Sequence, residues 1–581
     1  MNSNQISLPK LEIMNIKNKN FLLKSFFLLF IFLLFLKIDF RFEDGIFCCG
    51  DDYDYFSHSQ TIAEDFDLDY SNQLKGFEDK RYNLNGKVAP KGFFGSGLLA
   101  SPFLFLGNLV ESFFENTDIS NNFLSYSLLV YSLSSIFYMF VTVYLIRKCL
   151  IKLKSTVSIF ETLLIYSASG VAYFAFERFS MSHIYETFAV TLIIYASINY
   201  YTNQKNNLYA FFIPFTILLS LLVRQVNYYS LILPVIISYL IHKKFDSSLY
   251  KNNYFIFSSS ICVLVYCLLS VGIYGIVTIN PQTMYGISGM MGGFYKDHTI
   301  LSFVIENIQN SLKILFGQEF GIFWFSPIIF FGLVSSLFLS KNFSPLNYLI
   351  FLSPFILLFG SVLLWKSTAS SYGFRYLYSL VPISIVYFYS NYEKKNFNFY
   401  RRLLIALSFF SLFSILFFET TLLTQLSTTE ELNSFGRNIK YVEPNYLSGY
   451  LSSLFVVSSY FKIFLTSFLG VIIFKLIFLF IEPNQFTNLL ESLNLPVQNE
   501  DFQQYIIELQ KVAFHKVFVI VAFLFICSYY LVKSDFKYSS PLLKCLTLKN
   551  IAMRILNILI LLIKFKIEMR VEGQMRRILF R

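Results

Sequence analysis

Charge is what this chain has least of. Only 14% of its 581 residues are Asp, Glu, Lys or Arg, against 55% hydrophobic residues, and a soluble protein of this length needs far more polar surface. Histidine is scarce at five and tryptophan scarcer at two. The seven cysteines are scattered, with neither a framework of spaced pairs nor paired metal-ligand spacing, so a disulfide scaffold has no basis here. Cys48 and Cys49 are neighbours, and a bridge between them would be strained. The net charge of +11 lies in short clusters between apolar runs rather than on one polar face, which gives nucleic acid no surface to bind.

What is present is hydrocarbon, in runs near the length of about 20 residues that crosses a bilayer. The chain reads as an all-α polytopic membrane protein. Spans are expected near 21–38, 122–146, 157–176, 184–202, 208–223, 227–241, 254–279, 322–340, 346–365, 374–390, 403–423, 460–481 and 515–532. A last apolar run, 551–563, precedes a basic tail and suits either a span or an interfacial amphipathic helix. No small-residue cleavage site follows the first run, which is therefore read as a retained helix.

Basic residues set the expected orientation. Lys10, Lys17 and Lys19 precede the first span; Arg147, Lys148, Lys152 and Lys154 follow the second; His242, Lys243 and Lys244 follow the sixth; Lys394, Lys395, Arg401 and Arg402 follow the tenth. A cytoplasmic tail over 1–20 then leads into a membrane domain over 21–481, followed by a polar cytoplasmic linker over 482–514 and membrane helices with a basic tail over 515–581. Residues 39–121 form the first outer loop, and 177–186, 280–321, 366–373 and 424–459 also fall outside. The glycine-rich 280–320 stretch lacks the Gly-Lys-Ser/Thr end of a phosphate-cradling loop and suits a substrate flap or groove wall.

The stretch GDDYDYFSHSQTIAEDFDL, residues 50–68, concentrates six carboxylates in that first outer loop. Helical spacing puts Asp51, Tyr55, His58 or Ser59, and Ile62 on one face, with Asp52 and Asp54 pointing elsewhere. It is either a solvated acidic loop or a base held at the membrane surface. The segment APKGFFGSGLLASPFLFLG, 89–107, favours the second reading, because it suits a helix lying along the interface over the acidic one. A carboxylate beneath a greasy cover is placed to act on a lipid-borne substrate.

These two segments, in this order, resemble the first outer loop of membrane glycosyltransferases of the GT-C class, which includes the protein O-mannosyltransferases and the lipid A aminoarabinose transferases. The usual pattern there is Asp-Glu-x-x-Tyr; Asp51, Asp52 and Tyr55 occupy it, with Asp in the second place. GQEFGIFWFSPIIFFGL, 317–333, and WKSTASSYGFRYLYSLVPI, 365–383, are similar to later segments of the class, so the resemblance runs over about residues 20–390. It implies a GT-C-like bundle of about 12–14 transmembrane helices with interfacial helices in the first outer loop. It also implies a bacterial inner or plasma membrane, a cytoplasmic N-terminus and an active site on the outer face. The donor would be a sugar on a polyprenyl phosphate, and the acceptor hydroxyl would belong to a glycan, lipid or protein. Asp51 takes the position of the general base, with Asp52 beside it as the second catalytic candidate.

The chemistry asks for matching parts. A hydroxyl is a weak nucleophile until a positioned base takes its proton, while a phosphate leaving group needs cations. Arg375 beside Gly373 can fork onto phosphate oxygens or snorkel as an anchor; Arg224 is a donor contact or an anchor; Lys91 is a phosphate contact or a solvated loop lysine. His183 and Glu186 share a helix face and suit either a metal or sugar hydroxyls. Two ligands make no metal site, so they are read with Tyr55 and His58 as substrate contacts, with no metal or other cofactor required. Two rivals remain: a lipid-linked glycan transporter or flippase, and a polysaccharide polymerase or ligase.

Overall fold

The computed structural model describes residues 49–114, 126–415 and 514–539, apart from gaps at 76–82, 84, 156, 177, 204, 281–299, 318–320, 341–344, 364–371 and 392–396, and isolated positions near 490. The expected first span, the 424–459 loop, the 460–481 span and the 551–563 run lie outside the described residues. So do Trp365 and most of the polar linker and the glycine-rich loop. The chain divides into two compact units, Met1–Ser528 and Tyr529–Arg581, and the described helices up to residue 415 all belong to the first.

Helices α1 (Cys49–Gln60) and α2 (Gly95–Phe114) precede the long α3 (Tyr126–Lys152). Then α4 (Ile159–Tyr166) runs through a π turn, Ser167–Val171, into α5 (Ala172–Phe176). Next come α6 (His183–Thr202), α7 (Asn207–Val223), a 3₁₀ helix over Gln225–Ile232, α8 (Leu233–His242) and α9 (Asn253–Tyr274). After α10 (Ile300–Phe316), α11 (Ile322–Phe325), α12 (Pro327–Ser340) and α13 (Pro345–Leu363), a second 3₁₀ helix, Arg375–Leu380, leads into α14 (Val381–Tyr389) and α15 (Phe397–Ile415). The last described helix, α16, is Phe514–Ser539. The fold is all-α, with no β-strand among the described residues.

Three of these stretches are long and apolar enough to cross a membrane: α3, the continuous α4–α5 run, and α9. Three other expected spans, 227–241, 322–340 and 374–390, are shorter because proline interrupts them. Pro234, Pro327 and Pro382 each stand at the start of a helix, where a missing N–H costs nothing, and a preceding 3₁₀ or four-residue turn takes up the rest of the run. The α4–α5 run is the centre of the bundle, 94% buried over its most apolar window, whereas α9 is only 22% buried. It exposes Phe257, Val263, Leu264 and Leu268, a face suited to lipid.

Side-chain caps start three of the helices, α4, α7 and α9. Ser158 Oγ accepts from the Glu161 amide at 3.1 Å, and Asn206 and Asn252 accept from Leu208 and Tyr254 amides at 2.8 and 2.9 Å. The Glu161 carboxylate itself is buried and takes Arg401 Nε at 2.6 Å and Tyr389 Oη at 2.5 Å, which ties α4 to α15 and α14.

The π turn frees carbonyls that need donors. Ser411 Oγ donates to Ala168 O and Ser326 Oγ to Ser169 O, each at 2.7 Å. Gly170, at φ +87°, is required there, since a Cβ would run into the Tyr378 hydroxyl.

Helix α2 packs across α1 and against α3 and leaves Leu98, Phe105, Leu106 and Leu109 exposed, but the expected cover does not extend over Asp51, whose side chain is 62% exposed. The glycines of this segment permit the close approach. A Cβ on Gly97 would meet the His58 Cβ and lie 2.9 Å from the Ser59 amide, a backbone atom that cannot move aside. Gly97→Ala should therefore part α1 from α2 and lower stability by about 1–3 kcal/mol. Thermal melting in detergent checks this, with Gly360→Ala, which meets nothing within 4 Å, melting no lower than the parent.

Candidate active site

The N-terminus of α1 carries Asp51 and Asp52 in its first turn, where the helix dipole favours carboxylates. Their fates differ completely. The Asp51 side chain is 62% exposed, whereas that of Asp52 is wholly buried and ion-paired with Arg178. Ser180 Oγ adds a hydrogen bond to Asp52 at 2.9 Å. Burial outweighs the Arg178 pairing and holds the Asp52 carboxyl above the usual carboxylate range. Asp52 is therefore an anchor, which corrects its nomination as a catalytic group.

Asp54 is also buried and accepts from the Lys91 amide at 3.0 Å. The six carboxylates are thus not one solvated cluster: Asp52 and Asp54 point into the fold, and Asp51, Glu64, Asp65 and Asp67 are exposed. His58 lies a turn further along, fully buried, with Nε2 3.0 Å from Gly92 O and Nδ1 2.7 Å from Tyr70 Oη. The carbonyl can only accept, so Nε2 carries the proton and Nδ1 accepts from the tyrosine. Both nitrogens are engaged and neither is left for a substrate, so His58 is a strut for Gly92 rather than the sugar contact expected. Tyr274 Oη donates to the same carbonyl at 2.7 Å.

These bonds lay the Lys91–Gly92 strap over Tyr55. A Cβ on residue 92 would lie 2.7 Å from the Tyr55 ring, so only glycine fits. Tyr55 is half-buried, and desolvation, with the Asp51 charge adding to it, pushes its hydroxyl up to about 12. It remains a hydrogen-bond donor at neutral pH.

The opposite wall comes from three distant segments. His183 opens α6, and its Nδ1 lies 3.3 Å from Glu186 Oε2. Arg224, at the end of α7, reaches the same carboxylate at 3.1 and 3.4 Å. Arg375 follows Gly373, which adopts a left-handed φ of +58°, and its Nη2 lies 3.8 Å from Asp51 Oδ2. The Arg224 and Arg375 guanidiniums lie over the Tyr376 ring at 5.5 and 5.2 Å, within cation–π range.

Asp51, Tyr55, Lys91, His183, Arg224 and Arg375 line one cavity of about 90 Å³, completed by Ser182, Gln225 and Tyr376 among others. That is six of the nine residues nominated from sequence, drawn from positions 51 to 375 of the chain. The remaining three, Asp52, His58 and Glu186, stand behind the lining and hold it. A larger groove of about 470 Å³, lined by Tyr53, Gln60, Glu64, Asn108 and Glu111 among others, contains none of the nominated residues.

Sequence reasoning did not assign roles to Arg178, Ser180, Asp54 and Tyr376. A lone arginine in an apolar chain carried the same signal at Arg178 as at Arg224; Tyr376 is one tyrosine among 40 and offered none. No protein family, no curated protein and no solved structure matches the chain.

Stability measurements separate anchors from rim. Asp52→Asn removes the carboxylate that pairs with the buried Arg178, a loss of about 3–5 kcal/mol, whereas Asp51→Asn, at an exposed carboxylate, should melt like the parent. Burial also pushes the His58 imidazole down to about 4 from its ordinary 6.5. The unfolded chain then binds this proton first, so stability is complete above about pH 6.5 and falls on acidification toward pH 4, by roughly 3 kcal/mol in all. Melting curves from pH 7.5 to 4.5 should show a steeper acid loss for the parent than for His58→Gln.

Proposed function

We propose that this protein is a polytopic integral membrane glycosyltransferase of the GT-C type, transferring a sugar from a polyprenyl-phosphate donor to an acceptor hydroxyl on the outer face of a bacterial inner or plasma membrane. The observation that carries this reading is the meeting of an exposed carboxylate and an arginine, 324 positions apart, at one cavity: Asp51 and Arg375, 3.8 Å from each other. The separation is wider than a hydrogen-bonded pair. An acceptor hydroxyl on one side and a phosphate on the other can be served without breaking a tight salt bridge.

In the proposed reaction Asp51 takes the proton of the acceptor hydroxyl as its oxygen attacks the anomeric carbon. The bond from that carbon to the phosphate oxygen breaks on the opposite face, so configuration inverts. Negative charge accumulates on the departing polyprenyl phosphate, where Arg375 meets it. Arg224 is largely committed to Glu186, so Arg375 is the leading cation and Arg224 a supporting one, with Lys91 at the rim. Tyr55 contributes a neutral hydroxyl. No metal or other cofactor enters this scheme.

The transporter alternative draws on the broken helices around the π turn, Ser326 and Gly373, since interrupted helices line the ion and substrate sites of many carriers. Here the interrupted backbone is capped by serine and tyrosine hydroxyls, while the charged groups gather at Asp51 and Arg375. That distribution favours chemistry at the cavity over passage through the break.

Transfer of label from polyprenyl-phosphate sugars to native membranes tests the proposal. Asp51→Asn should lower turnover by about 10²–10⁴-fold at an unchanged melting temperature, and normal turnover would remove it as the base. Arg375→Ala should lose about 10²–10³-fold, with weaker donor engagement; unchanged KM and kcat would return Arg375 to the role of an anchor.

A further inference from the structure

Two side chains that line the cavity carry a buried polar atom without a partner: Arg375 at Nε, an N–H suited to a phosphate oxygen, and His183 at Nε2. His183 is 2% exposed, and its Nε2 makes no hydrogen bond. An unsatisfied buried group of this kind costs stability in the folded protein, so its position at a ligand cavity calls for a ligand atom.

The tautomer follows from the neighbours. Glu186 accepts only, so the proton of the neutral ring resides on Nδ1, facing Oε2 at 3.3 Å. The carboxylate cannot turn away, because Arg224 holds it at 3.1 Å. The ring is fixed as well, edge-on to Phe174 at 4.5 Å and to Tyr378 at 5.9 Å. Burial, helped by the Arg224 and Arg375 charges, outweighs the pull of Glu186 and keeps the ring neutral, so Nε2 keeps a lone pair.

A lone pair selects its ligand. It repels a phosphate oxygen, which the arginines take instead, and a carbonyl or ether offers it no hydrogen. An ammonium group has hydrogens to give but brings positive charge toward two guanidiniums. A neutral hydroxyl satisfies the atom without either conflict.

We infer that His183 Nε2 accepts a hydrogen bond from one hydroxyl of the donor's sugar, and that the Arg224–Glu186–His183 chain thereby makes the site selective for a neutral hydroxylated sugar over a deoxy or amino analogue. This rests on the proposed use of polyprenyl-phosphate sugars. Within that reading it makes His183 a specificity determinant rather than a catalytic residue.

The test uses the full-length protein in detergent with short-chain polyprenyl-phosphate hexoses and pentoses, each compared with its monodeoxy and monoamino analogues, in both a transfer and a direct binding assay. For the parent, one deoxy position and the matching amino position should lose about tenfold or more, the worth of roughly one hydrogen bond. His183→Phe, which keeps an aromatic ring against Phe174 and Tyr378, should weaken the hydroxylated sugar and bring the three analogues together. Equal use of all analogues by the parent, or a penalty that survives in His183→Phe, overturns the assignment while transfer itself stands. If the variant does not fold, equal use of all analogues by the parent still overturns the assignment, and His183→Gln takes the place of His183→Phe. Binding with the expected discrimination but without transfer supports the His183 contact and removes the glycosyltransferase reading. Absence of both binding and transfer overturns the two together.

Discussion

The buried pair between Asp52 and Arg178 is the constraint on which the site depends. A charged pair withdrawn from water gives little net stability, yet it fixes which way α1 faces. With Asp52 turned inward, the preceding residue must emerge at the helix N-terminus, and Asp51 comes out at the cavity mouth. The pairing also fastens the segment between α5 and α6, from which His183 and Ser182 enter the opposite wall. One interaction of modest energetic value thus sets the relative positions of two walls.

A second layer of construction repeats the theme that backbone does the placing. Gly92 and Gly97 let α1, the strap and α2 approach to distances no side chain would allow, and the His58, Tyr70 and Tyr274 groups lock the strap once it is there. On the other side, the π turn at Gly170 and the left-handed Gly373 share the Tyr378 hydroxyl as a neighbour, and Arg375 leaves the chain two residues after that contact. The arginine is aimed by the glycine break before it. Hydroxyl groups of Ser326, Ser411 and Tyr378 make such breaks tolerable in an interior with almost no charge to spare.

Much of this was legible in the sequence for a simple reason: in a chain so poor in charge, each polar residue near the end of an apolar run stands out. His183, Arg224 and Arg375 stand out that way, Asp51 and Tyr55 stand out through the acidic stretch and its resemblance, Lys91 lies in the loop before Gly92, and all six line one cavity. Helices α3, α4–α5, α6 and α9 follow from apolar run length. What the sequence concealed was direction. Asp51 and Asp52 are identical residues side by side, and only the partner 126 positions away distinguishes anchor from rim. His58 looked like a site histidine because it fell on the face of Asp51, yet its nitrogens are spent on Tyr70 and Gly92. Prolines at 234, 327 and 382 shortened helices that hydropathy alone would have run straight through.

The strap also divides freedom unevenly between its two residues. Asp54 holds residue 91 through its amide, which every amino acid except proline possesses, while residue 92 is restricted to glycine by the Tyr55 ring. The two adjacent positions are therefore under opposite rules. Variation at 92 is closed off by geometry, but the side chain at 91 can be exchanged with that tether intact. At this point the cavity wall is held by a main-chain bond at one residue and by the absence of a side chain at the next.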